Sequence, residues 1–340
     1  MSITAGVFSE TALVDIQVKI DQIWADAIQK QDYVANVDAV TAILSNQTAF
    51  ISELKGNKDR TVDIGWINAC EIADEACQIC TIDGEELSTN VEEKTLATCR
   101  EAHFKVEEGV FRSNLFDAEE VIAKGFLAAM KELDEFWAAT LVAFLNANLG
   151  VNAVTNGKGV VNGTGTYILP AFWDAGLMSY FNRASKVNQF VNPFLLSGAN
   201  LYESVWNAAY ERSQAGAESK ILKFGSMPIY FDLFNIDSVN DPDLLTYMIH
   251  KGSVAFVAKN YYPSTVTRYM DEHRWSMPSK NIPGLVYDVH YKDSCEAQGS
   301  YDAMTFQYKL RTFGDFFLNP TGCDDTRTGI LGFYCGEEPE

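Results

Sequence analysis

One stretch of the chain repeats its apolar positions with unusual persistence. Ile122, Phe126, Met130, Leu133, Trp137, Leu141, Phe144 and Leu145 step by three and four, the spacing that gathers side chains on one helix face. The pattern predicts a helix from about Asp117 to Asn148. Asp117, Glu119 and Glu120 stand at its start, where carboxylates favour the amide end of the helix dipole, and Asn146, Asn148 and Gly150 close it. At about 1.5 Å per residue it is roughly 45 Å long.

Weaker stripes precede it. Leu13, Ile16, Val18, Ile20 and Ile23 predict one helix; Val34, Val37, Val40, Ile43 and Leu44 predict a second, with a stop at Gly56-Asn57. From Thr61 the period changes. Thr61 to Ile67 alternates as a strand, with 98–106 as its return across a turn at Asp83-Gly84. After the long helix, Asn156-Gly157-Lys158-Gly159 and Asn162-Gly163-Thr164-Gly165 suggest a loop or glycine-turn hairpin. A second compact region follows, with helices near 171–184 and 199–212 and strands at 221–225, 227–234 and 253–259. Asp241-Pro242-Asp243 marks a helix start before Leu244–Ile249, and residues 285–291 and 304–310 alternate as closing strands. Helix and sheet are both abundant without a βαβ rhythm, so the expected class is α+β.

Composition narrows the functions open to such a chain. Of 340 residues, 26 are Lys or Arg and 46 Asp or Glu, a net charge of −20. Nucleic-acid and anionic-membrane binders need a basic surface, so neither is expected. The acid is concentrated: residues 71–120 hold about 14 Asp+Glu against about 4 Lys+Arg, in a segment too polar to build its own core. No run of 18 apolar residues exists, so no membrane span is expected. The first residues lack the basic start and apolar run of a secretory signal, which points to synthesis in a cytoplasm.

Candidate chemistry is sparse. Cys77-Gln78-Ile79-Cys80 has the gap that lets two thiolates share a zinc, but Cys70 and Cys99 are singles with no second pair. All seven cysteines are expected to be reduced thiols, with no metal and no cofactor. His103, His250, His273 and His290 show no ligand spacing and read as structural residues, His250 at a helix end. Nucleophile elbows and phosphate loops are missing. Glu85/Glu86, Glu107/Glu108 and Glu119/Glu120 raise the alternative of a carbohydrate-active hydrolase using paired carboxylates, although adjacent carboxylates point to different sides. Asp232, Asn235, Asp237, Asp241 and Asp243 raise a calcium-binding surface protein, against which capping or solvation is the simpler role. Tyr261, Tyr262, Tyr269 and Trp275 crowd together with Lys259, Arg268 and Arg274; at this net charge they read as a core-to-interface seam rather than a base-stacking surface. No catalytic, cofactor-binding or metal residue is assigned.

The order of parts is more informative than any motif. Arm, acidic extended excursion, long spine helix, compact middle domain and returning strands together resemble the major capsid protein of tailed double-stranded DNA bacteriophages, whose fold was first described for phage Hong Kong 97. Residues 306–314 and 327–331 resemble the closing strands of such proteins. The resemblance implies an N-terminal arm at 1–56 and an extended loop at 57–110. It implies a peripheral domain with the spine helix at 111–165, an axial domain at 166–260, and strands completing both at 261–340. It further implies a non-enzymatic virion protein that assembles with itself, as pentamers and hexamers, into an icosahedral shell. Portal, scaffold or decoration proteins would be its partners, with packaged DNA a repelled cargo. Two departures stand out. No long charged helical prodomain is present, so any scaffold is a separate protein. Lys58 and Lys94 lie in the segment that carries a covalent crosslink in the type member, yet no Asn partner is identifiable and no crosslink is expected.

Overall fold

The computed structural model describes residues 10–52, 60–67, 89–107, 117–154, 157–173, 176–199, 201–202, 222–224, 227–236, 246–298, 301–319 and 328–336. The chain is α+β and divides into two compact units: residues 1–37, 96–137 and 258–315 form one, and 38–95, 138–257 and 316–340 the other.

In the first unit, α1 (Glu10–Ala25) is followed by the short α2 (Ala27–Lys30) and a 3-10 turn. Ile16, Ile20 and Ile23 are buried, while Val14 and Val18 face outward, so only part of the apolar pattern is used. The spine α4 (Ala118–Ala147) begins in this unit; the Asp117 carboxylate accepts from the Glu119 amide at 3.3 Å and caps it. Its stripe is realised: Ile122, Phe126, Met130, Leu133 and Trp137 have almost no exposed surface. The unit's sheet contains β4 (Thr98–Glu107), β12 (Thr267–Tyr269), β13 (Glu272–Pro278), β14 (Val286–Gln298) and β15 (Tyr301–Leu318), with β11 (Val254–Lys259) completing it beside β15. The spatial order β4, β15, β14, β13, β12 is antiparallel throughout.

The second unit contains α3 (Asp38–Asn46) and a three-stranded sheet of β1 (Phe50–Ser52), β2 (Thr61–Ile67) and β3 (Thr89–Thr95). Its larger sheet has seven strands. These are β5 (Gly159–Asn162), β6 (Gly165–Ile168), β7 (Phe194–Ser197), β8 (Leu222–Phe224), β9 (Met227–Phe231), β10 (Thr246–Ile249) and β16 (Ile330–Cys335), in the order β5-β6-β16-β10-β7-β9-β8. Beside it α5 (Leu177–Val187) contributes Phe181, whose ring meets Phe333 at 4.9 Å in a core with Leu195, Ile229, Met248 and Leu331. The β5–β6 hairpin turns on Gly163, whose φ of +57° is the left-handed conformation that glycine tolerates.

Three sequence expectations are corrected. The second helix covers only residues 38–46, because 34–37 are not helical and β1 follows at 50; the expected stop at 56–57 lies outside the described residues. Residues 98–106 are not the return of β2. That partner is β3, with Val62 opposite Lys94 and Gly65 opposite Val91, whereas β4 pairs with β15. β3 is nearly all polar, so hydrophobic alternation could not mark it. Residues 246–249 form not a helix but a strand, buried at all four positions between β7 and β16; a run so short has no period to separate the two. His250 consequently ends a strand. Most of 199–212 and the turn at 83–84 lie outside the described residues.

Candidate functional site

Strand alternation gives the first unit's sheet two faces of opposite character. Toward α4, register aligns Phe104, Tyr308, Tyr291 and His273 across β4, β15, β14 and β13. Phe104 and Tyr308 stack at 4.9 Å, and Phe126 of α4 sets its ring edge-on to both, at 5.2 and 5.1 Å. Gly125 makes this approach possible: a Cβ there would lie 2.5 Å from the Phe104 ring. Further along α4, Asp134 is completely buried. Its carboxylate accepts from the Tyr287 hydroxyl, from Ser279 Oγ at 2.9 Å and from Asn281 Nδ2 at 2.9 Å. Burial pushes its pKa from 3.8 up to about 6, against the pull of these hydrogen bonds. Asn281 in turn grips the N-terminal segment, accepting from the Ala35 amide at 3.0 Å and donating to the Tyr33 carbonyl at 3.3 Å. Lys131 donates to the Asp32 carbonyl at 3.1 Å, and Lys280 pairs with Asp21 at 2.6 Å.

The opposite face is charged. There the same register aligns His103, Lys309, His290 and Arg274, and beside them Lys105, Gln307 and Lys292. These rows floor a trough of about 640 Å³ lined by His103, Lys105, Glu272, His290, Lys292 and Lys309 among others. Glu272 receives Arg274 at 2.9 Å and lies 3.4 Å from His290 Nδ1; the guanidinium holds its carboxyl below the usual range. At one end, Asp288 is buried, accepts from the Tyr261 and Tyr262 amides at 2.9 and 3.0 Å, and stands 3.6 Å from Arg311. Cations and rings alternate there. Arg274 lies over Tyr269 at 4.4 Å and Tyr262 at 5.6 Å, and Arg311 over Tyr262 at 5.9 Å and Phe313 at 4.7 Å.

The aromatic seam expected from residues 261–275 is therefore divided. Trp275 is buried, Tyr269 is exposed, and Arg274 is engaged by Glu272 and two rings. Asp232 serves as a cap: Asn235 amide at 2.8 Å, Asn235 Nδ2 at 2.9 Å and Ala39 amide at 3.1 Å all donate to it. A carboxylate so surrounded by N–H donors presents nothing to calcium. Asp237, Asp241 and Asp243 lie outside the described residues, as do Glu85, Glu86, Glu108, Cys70, Cys77 and Cys80. Cys99 is an exposed thiol on β4, and among the described residues no group of three His, Cys, Asp or Glu could hold a metal ion. Glu119 and Glu120 sit in the first turn of α4, where Glu120 pairs with Lys124 at 2.7 Å. Among the described residues no helix is long and apolar enough to cross a membrane. Sequence reading missed the charged rows, because β4 joins strands that lie far beyond it along the chain; alternation shows the phase of each strand, but not its neighbour.

The sequence matches no protein-family model and no curated protein. By structure, the chain is similar to the capsid structure of the cyanophage P-SCSP1u, with 10% identity and a TM-score of 0.46 over 83% of this chain and 85% of that one. It is similar to a chain of Mycobacterium phage Adephagia, with 11% identity and a TM-score of 0.45 over 90% and 92%. The capsid of Ralstonia phage GP4 gives 10% identity and a TM-score of 0.45 over 85% and 87%.

Proposed function

We propose that this chain is a structural virion protein, the major capsid protein of a tailed double-stranded DNA phage, which assembles with itself into an icosahedral shell. The observation that carries the reading is the order of parts along the chain. Packed N-terminal helices come first, then a β2–β3 pair with an acidic segment between its strands. Next come the 30-residue α4 and a middle sheet, and last the closing strands β14 to β16. In this reading 1–56 is the arm, 57–110 the extended loop, 111–165 the peripheral domain with its spine, 166–260 the axial domain, and 261–340 the strands that complete both. Function is mechanical and needs no active site. Heterologous contacts close into pentamers and hexamers. A net charge of −20 repels packaged DNA instead of binding it, which lets the genome slide along the wall. Portal, decoration or separate scaffold proteins are its partners; synthesis is in the host cytoplasm and the destination is the virion.

Size-exclusion chromatography and negative-stain microscopy of the purified chain test this directly. Rings or closed shells that grow with concentration are expected. A folded monomer at every concentration, with or without co-expressed phage scaffold, would overturn it.

A further inference from the structure

The turn between β12 and β13 carries a local cost that the fold does not need. Tyr269 pairs with Glu272, so the loop is only Met270 and Asp271. Met270 has a φ of +55° at the first central position of this tight turn, a conformation that glycine adopts freely and other residues rarely. Its side chain gains nothing within the chain in return: it is 78% exposed, beside an exposed Tyr269. The surroundings brace it in place. Arg274 lies over the Tyr269 ring at 4.4 Å, Thr267 Oγ1 donates to the Arg274 carbonyl at 3.0 Å, and Arg268 Nε donates to the Met270 carbonyl at 3.4 Å. Backbone strain held by a braced turn, with an apolar side chain in water, points to a contact with another molecule.

Charge says what that molecule presents. At the tip, Asp271 is taken by Lys292 and Glu272 by Arg274, whereas exposed Arg268 meets no carboxylate among the described residues. The same unit offers the complement on α1. Val14 and Val18, one turn apart on that helix, are exposed. Glu10, Asp15 and Asp21 share the helix with a single cation, Lys19, which is drawn to Asp117 at 3.4 Å. Asp21 is paired with Lys280, but half-buried Asp15, next to Val14, meets no cation among the described residues. Both patches are exposed, so they do not meet within one chain.

We infer that the β12–β13 tip of one copy seats on the outer side of α1 of a second copy, with Met270 against Val14 and Val18 and Arg268 facing Asp15. Apolar group meets apolar group and unpaired cation meets unpaired anion. Two chains of net charge −20 repel at long range, so a contact between copies needs such local opposite charges to fix its register. The two patches differ, which makes the contact heterologous, the kind that closes into rings. This deepens the shell reading and rests on it.

Met270→Gly separates folding from association. In the full chain it should melt no lower than the parent, because glycine relieves the turn. Sedimentation should nevertheless show that the concentration needed for higher-order species rises at least about tenfold, as losing a buried methionine contact requires. Arg268→Glu and Asp15→Arg should each weaken assembly, and the two together should restore it. A photo-crosslinking residue in place of Met270, in mixed light and heavy-labelled chains, should join position 270 to residues 10–30 of another copy. Met270→Gly that melts early, Met270→Gly that assembles like an assembling parent, or crosslinks confined to one chain or to other segments would each overturn the contact and leave the shell reading intact. A parent that stays monomeric at every concentration overturns both.

Discussion

Asp134 has no exposed surface, and its carboxylate is surrounded by donors from the loop after β13 and from β14. Its pKa of about 6 lies above the ordinary 3.8, so the native state holds its proton more tightly than the unfolded chain does. The contribution of this group to stability is therefore fully present below the unfolded value and is lost as pH rises through about 6. The melting temperature of the parent, measured against Asp134→Asn, should rise on going from neutral to acid by the equivalent of about 1–3 kcal/mol. A parent-minus-variant difference that does not change with pH would contradict this. Trp137, one helical turn further on and also fully buried, is a simpler case. Trp137→Ala should cost about 3–5 kcal/mol and lower soluble yield, checked by thermal melting. The importance of Trp137 was legible in the helical period. That of Asp134 was not: it reads as one more acid, and only the loop carrying Ser279 and Asn281 makes it a hub.

At the scale of elements, α4 and β4 meet where a side chain is missing. Gly125 costs the helix about 1 kcal/mol relative to alanine. A Cβ would press on Phe104, whose ring is confined by Phe126 and Tyr308 and has no easy way to move. Overpacking of that kind typically costs about 1–3 kcal/mol, more than the propensity gain. Gly125→Ala should therefore lower the melting temperature, and Gly125→Ala with Phe104→Leu should recover part of the loss. On the same helix Lys131 belongs to the polar side by its spacing, yet it holds the Asp32 carbonyl. Strong periods such as that of α4 survive into the fold. Short apolar runs such as Thr246 to Ile249, and polar strands such as β3, do not reveal their state, because their conformation is decided by the strands on either side.

For the whole molecule, the N-terminal segment is held by contacts along its length. Its described part is not a loose extension: Ile16, Ile20 and Ile23 are buried, Asn281 grips residues 33 and 35, and Asp232 caps α3 through the Ala39 amide. Burying an aliphatic side chain is worth about 1.5–3 kcal/mol, so removing three, against a total stability of about 5–15 kcal/mol, is severe. Deletion of 1–37 should give poorly soluble or early-melting protein. A truncated chain that melts like the parent would show that the segment adds little to the stability of the fold.

The sequence by itself determined the α+β class, the extent of the spine helix, the phase of the long closing strands and the acidic balance, since each is written in a local period or a simple count. The tertiary structure alone decided which strand answers β2, that residues 10–37 pack within one unit and 38–46 within the other, and that Lys105, Lys292, Lys309 and His290 share one trough. The reason is physical. Periodicity records which way a side chain points along its own backbone, whereas pairing partner and register are chosen by the free energy of contacts between distant segments, which no local window contains.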